Sequence, residues 1–122
     1  MRDQNKIVMK LGVRVKEIHA LIDELANITQ QYFGTQVEVA TEHLTVMGHG
    51  LGATTAINLS NKEERVKKII SLDPWLTPIK EEVMSKVISV KQPHCSINSE
   101  MFQANFTDNW ELLTNLYNRK GA

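Results

Sequence analysis

At 122 residues the chain has room for one domain and no more. Fourteen basic residues balance fourteen acidic ones and 42% of the sequence is apolar. That balance gives the whole chain no pull toward nucleic acid or an anionic membrane, and the single cysteine, Cys95, excludes an internal disulfide.

No stretch is apolar for long enough to span a bilayer. Met1 to Val13 carries basic residues but no continuous apolar core of the kind a secretory leader uses, which favours the cytoplasm. Val15, Ile18, Leu21, Ile22, Leu25 and Ile28 then follow helical spacing, with Lys16, Glu17, Asp23 and Glu24 on the other side. This predicts an amphipathic helix over 8–30 with one face for a core. Residues 30–42 read as a connection that breaks at Gly34.

Three short apolar runs follow, Leu44 to Met47, Lys68 to Leu72 and His94 to Ile97, each about twenty residues from the next. Helical pattern fills the gaps, which is the rhythm of strand–helix–strand units and a parallel sheet. Ala53 to Leu59 is the first intervening helix. Thr77-Pro78 opens a second, as N-cap and first helical residue, running through Val83 and Val87. A last helix begins near Asp108-Asn109-Trp110-Glu111, a capping-box pattern, and buries Trp110, Leu113 and Leu116 or Tyr117. Glu63-Glu64 and Lys67-Lys68 read as a solvated i,i+4 charge face. Met47, Met84 and Met101 are core candidates, Cys95 reads as buried and inert, and Trp75 as packing. The class is α/β, a single domain over 1–122 with about three parallel strands and flanking helices. Three parallel strands leave two open edges and an incomplete sheet.

The segment from Thr45 to Ala56, "TVMGHGLGATTA", ends a strand in alternate glycines and resumes as small, helix-compatible residues. Its spacing fits G-x-S-x-G, the turn that lifts a hydrolase nucleophile over a sheet, with Gly50 where the serine stands. Gly48 and Gly52 then avoid collisions between strand and helix. The Leu51 amide, at a helix N-terminus, is placed to donate to an oxyanion. Taken alone, Gly-x-Gly-x-Gly is read more simply as a glycine-rich strand-to-helix turn.

Three segments together say more. "GHGLGATTAINLS", "IISLDPWLTPI" and "QPHCSINSEMFQ" resemble, in order and with similar intervals, the platelet-activating factor acetylhydrolase family, plasma and isoform II type. There the corresponding segments read G-H-S-F-G-G-A-T, L-D-A-W-M-x-P and Q-P-x-x-x-I-N-S-E-x-F-Q. The resemblance covers residues 8–106 and implies the middle-to-late portion of an α/β-hydrolase domain. It also implies a serine esterase of glycerophospholipid sn-2 acyl groups that uses no metal or organic cofactor.

Residue by residue, the resemblance puts Gly50 at the nucleophile position, Asp73 at the triad acid and Leu51 at a backbone oxyanion donor. Without the resemblance, Asp73 before Pro74 reads as a turn residue. His49 matches the variable residue inside the family's elbow and not its base. The base lies in a segment past the Asn98-Ser99-Glu100 strand that this sequence does not reach. His19, His43 and His94 match no catalytic position, and a second oxyanion donor is expected upstream. Glycine supplies no attacking atom, so the expectation is an inactive chain. The alternative is a pseudoenzyme serving as a structural or interaction subunit, its open sheet edges covered by a protein partner.

Overall fold

The structure, a computed structural model, describes residues 2–117. Helix α1 spans Arg2–Phe33, longer at both ends than its apolar stripe predicts. Leu11, Val15 and Ile22 are its buried apolar residues, and Ile18 is partly covered. Burial of each such side chain contributes on the order of 1.5–3 kcal/mol. Leu21 is 53% exposed, against expectation. It precedes Ile22 by one residue and therefore sits roughly 100° around the helix from the stripe. Gly34, at φ +74°, ends α1 as expected, and its N–H returns to the Gln30 carbonyl at 2.9 Å.

Strands β1 (Leu44–His49), β2 (Val66–Leu72) and β3 (His94–Ile97) form one parallel sheet in that order. Helix α2 (Leu51–Ser60) connects the first pair, and α1 packs against α2. A 3-10 turn (Thr77–Ile79) and α3 (Lys80–Met84) lie between β2 and β3. Two helices follow, α4 (Glu100–Asn105) and α5 (Asn109–Tyr117). The architecture is α/β, an open three-stranded sheet with flanking helices.

The core collects Ile57 and Leu59 of α2, Val66 and Ile69 of β2, and Leu112 and Leu116 of α5, with Leu76, Ile79 and Val83 from the intervening segment. Side chains alternate across a strand, and the register aligns two rows on the opposite face: Met47–Ile70–Cys95 and His49–Leu72–Ile97. That face is open along its outer strands, where Met47 is 65% and Ile97 59% exposed and Cys95 is exposed too, while Ile70 and Leu72 of the central strand are half-buried. Met47 and Cys95 are thus not core residues, because their strand parity turns them to the open side. Met84 and Met101 are exposed as well.

Other expectations need correcting. Thr77 does not cap a long helix. The segment opens as a 3-10 turn, α3 ends at Met84, and Lys86 at φ +64° redirects the chain, leaving Val87 exposed. In α5, Trp110 points outward while Leu112 is buried. The buried Asn109 side chain accepts the Leu76 N–H at 3.0 Å. Glu63 is buried outside any helix and binds Arg65, so the expected solvated charge face does not form.

Candidate active site

The carboxyl end of the sheet is organised by the turn between β1 and α2. A Cβ on Gly48 would lie 2.4 Å from the Gly52 carbonyl carbon and oxygen and 2.5 Å from Ala53 N. Glycine there lets the first turn of α2 lie directly on β1. Only Gly48 is needed for this contact: a Cβ on Gly52 meets nothing within 4 Å, because Gly52 presents its backbone to β1 and its open side elsewhere.

Gly50 turns the corner at φ +56°, ψ −121°, a region that residues with side chains rarely adopt. Its N–H donates to the Leu72 carbonyl at 2.9 Å. Its carbonyl accepts from Thr54 N at 3.2 Å and from Trp75 N at 3.3 Å. The turn is therefore tied to β2 and to the loop after it, and a Cβ built on Gly50 projects into open space. Leu51, half-buried, opens the ten-residue α2, and the N–H of a first helical residue has no acceptor within its own helix.

Neither nearby threonine offers a free hydroxyl. Thr54 Oγ1 donates to the Trp75 carbonyl at 2.5 Å and Thr55 Oγ1 to the Leu51 carbonyl at 2.8 Å, both in buried side chains.

Asp73 follows β2 at φ +44°, one of two described non-glycine residues with positive φ. Such a conformation persists only where the surroundings hold it. Here its N–H donates to the Ile97 carbonyl at 2.9 Å. Its carboxylate accepts from Ser99 N at 2.5 Å and from Ser99 Oγ at 2.8 Å. Ser99 also caps α4, its Oγ accepting the Phe102 N–H at 3.2 Å. Sequence reasoning placed Asn98-Ser99-Glu100 in a strand, but β3 ends at Ile97 and Ser99 opens α4, a capping signal that the sequence carried. The loop between Asp73 and the 3-10 turn carries Trp75, whose ring packs 6.2 Å from that of Phe106. The buried Trp75 Nε1 has no protein partner among the described residues.

The histidines lie elsewhere. His49 is exposed at the end of β1. His19 is 2.7 Å from Glu63 Oε2 on the α1 side of the molecule. His94 has both ring nitrogens engaged, with Ser71 Oγ and with Tyr117 Oη at 2.7 Å each, and its burial pushes its pKa down. Ser71 is wholly buried, so its bond to His94 is an internal polar contact and not an exposed nucleophile with a base. No group of three or more His, Cys, Asp or Glu among the described residues could hold a metal ion.

A sequence profile described as platelet-activating factor acetylhydrolase, isoform II, matches residues 7–120. The chain belongs to this family. A platelet-activating factor acetylhydrolase from Gallus gallus is 39% identical over 84 residues, 67% of this chain and 19% of that protein. Those from Cavia porcellus and Bos taurus are 39% and 36% identical over 61 and 62 residues, about half of this chain and 13% of each relative. The chain thus spans less than a fifth of the length of these curated relatives. No solved structure gives a significant match. No described helix is long and apolar enough to cross a membrane.

Proposed function

We propose that residues 1–122 form one unit, the middle-to-late part of an α/β-hydrolase domain, and that the β1–Gly50–α2 turn is its nucleophile elbow without a nucleophile. The observation that carries this reading is Gly50 itself. It combines left-handed dihedrals with open space where a side chain would stand, at a strand-to-helix turn that begins on a glycine unable to bear a Cβ. Asp73, fixed by Ser99 at the end of the next strand, takes the triad-acid role, and the Leu51 N–H the oxyanion-donor role.

The substrate class is a phospholipid ester with a short or oxidised sn-2 acyl group, in keeping with the name of the relatives. These residues do not hydrolyse it. Serine attacks an ester carbonyl through its hydroxyl while a histidine takes the proton, and Gly50 has no atom for that step. Losing the serine of a catalytic triad costs about a million-fold in turnover. His94, the histidine of β3, already uses both ring nitrogens. No metal or organic cofactor enters this reading.

A short-acyl ester assay tests it. The chain is expected to match the buffer blank, and Gly50→Ser alone to leave it there, since no histidine among the described residues matches the family's base. Turnover by the unmodified chain overturns the inactivity; turnover by Gly50→Ser overturns the missing base.

One observation favours a second reading, a pseudoenzyme acting as an interaction subunit. The sheet face bearing Met47, Cys95 and Ile97 leaves those three side chains exposed, as a surface kept for a protein partner would.

A further inference from the structure

The neutral total charge hides a segregation along α1. Residues 6–16 hold Lys6, Lys10, Arg14 and Lys16 and no acid, whereas residues 17–24 hold Glu17, Asp23 and Glu24 and no lysine or arginine. Lys6–Lys10 and Lys10–Arg14 are like-charge i,i+4 pairs, which cost helix stability. All four cations are exposed, and none has a hydrogen bond or ion pair among the described residues. This half of α1 thus carries a row of mutually repelling cations.

The same half displays apolar side chains that the core does not use. Met9 is 72% and Val13 54% exposed. Both line one shallow groove with Lys6, Lys10 and Arg14, at whose end Glu17 stands. At roughly 100° per residue, Val13 lies opposite the buried stripe, with Lys16 on one flank and Lys6 and Lys10 on the other.

We propose that this face of α1 docks on the surface of an anionic phospholipid bilayer. Met9 and Val13 enter the headgroup–acyl boundary, and the four cations pair with lipid phosphates and carboxylates, their alkyl stems lying along the apolar surface. The anionic surface supplies counter-charge to cations that no acid among the described residues pairs with. A nucleic-acid backbone would satisfy the cations but leave Met9 and Val13 in water, which is why a bilayer is the better occupant. The helix lies on the membrane and does not cross it, as its polarity requires. This surface makes no use of Gly50 or Asp73, so its test and the esterase assay fail independently.

The full chain is floated with large unilamellar vesicles of phosphatidylcholine alone or with a third phosphatidylserine. It is expected to rise with the anionic vesicles only, and to be released at high salt. The double variant K10E/R14E should bind at least about tenfold more weakly. Its thermal midpoint should change little, because the change turns the repulsive 6–10 pair attractive while the 10–14 pair stays like-charged. The variant M9S/V13S should also lose binding while staying folded by circular dichroism. Equal flotation with phosphatidylcholine alone overturns the proposal, as does retention by K10E/R14E. Tighter binding to duplex DNA or to a polyacidic peptide, unaffected by M9S/V13S, overturns it in favour of a general polyanion site.

Discussion

Gly48 and Gly50 stand two residues apart and are glycine for different reasons. Gly48 is a matter of space, with the backbone of Gly52 already where its Cβ would go, whereas Gly50 is a matter of dihedrals in an open volume. Gly48→Ala must move α2 off β1 and should cost at least about 3 kcal/mol. Gly50→Ala should cost about 1–3 kcal/mol, the strain of a side chain at positive φ. Urea denaturation orders the two, and a larger loss for Gly50→Ala would contradict the assignment. Ser99→Ala removes both a bond to the Asp73 carboxylate and the cap of α4. A loss of about 1–2 kcal/mol is expected, with faster amide exchange at Phe102, while Ser99→Thr retains both. The alternating glycines were legible in the sequence as a strand-to-helix turn. Which glycine answers which demand was not, because that depends on how closely α2 approaches β1.

At the scale of elements, the two halves of α1 differ in how their charges are held. Its basic half is unpaired, whereas its acidic half is clamped to the segment between α2 and β2. Arg65 grips Glu63 through Nε at 2.7 Å and Nη2 at 2.8 Å, and Nη2 also reaches Asp23 at 2.6 Å. The hydrogen bond from the Arg65 side chain is the main cause of a Glu63 pKa lowered from its ordinary 4.5 to about 2. A carboxylate depressed in the folded state adds stability that is fully present above its unfolded pKa and is lost as pH falls through the folded one. Stability should therefore decline from about pH 4.5 toward 2, and Glu63→Gln should flatten that decline. Denaturation midpoints measured across this window decide it, and parallel curves for the two chains would contradict the clamp. The apolar spacing of α1 was readable because a helix repeats its face. The clamp was not, since it joins residues 42 apart in sequence, and i,i+4 counting over Glu63 to Lys68 pointed to a helix that does not form.

For the whole molecule, the succession of short apolar runs and helical gaps was enough to foresee a parallel three-stranded sheet, and β3 falls on its expected residues. Local pattern settles which residues form strands but not which face has neighbours. That is why Met47 and Cys95 were expected inside and lie on the open side, and why Trp110 gave way to Leu112 in α5. Gly50 and Asp73 were singled out by resemblance, and both occupy positive-φ corners at the carboxyl ends of adjacent strands. The proposed account holds that this corner keeps the backbone of an esterase elbow and has lost only its reactive atom. A thiol placed there reads the site without requiring turnover: Gly50→Cys in a Cys95→Ser background, alkylated with iodoacetamide across pH. The account predicts rapid alkylation with an apparent thiol pKa at least about one unit below the usual ~8.5, set by the N-terminus of α2. A slow reaction with an ordinary or raised pKa would contradict it.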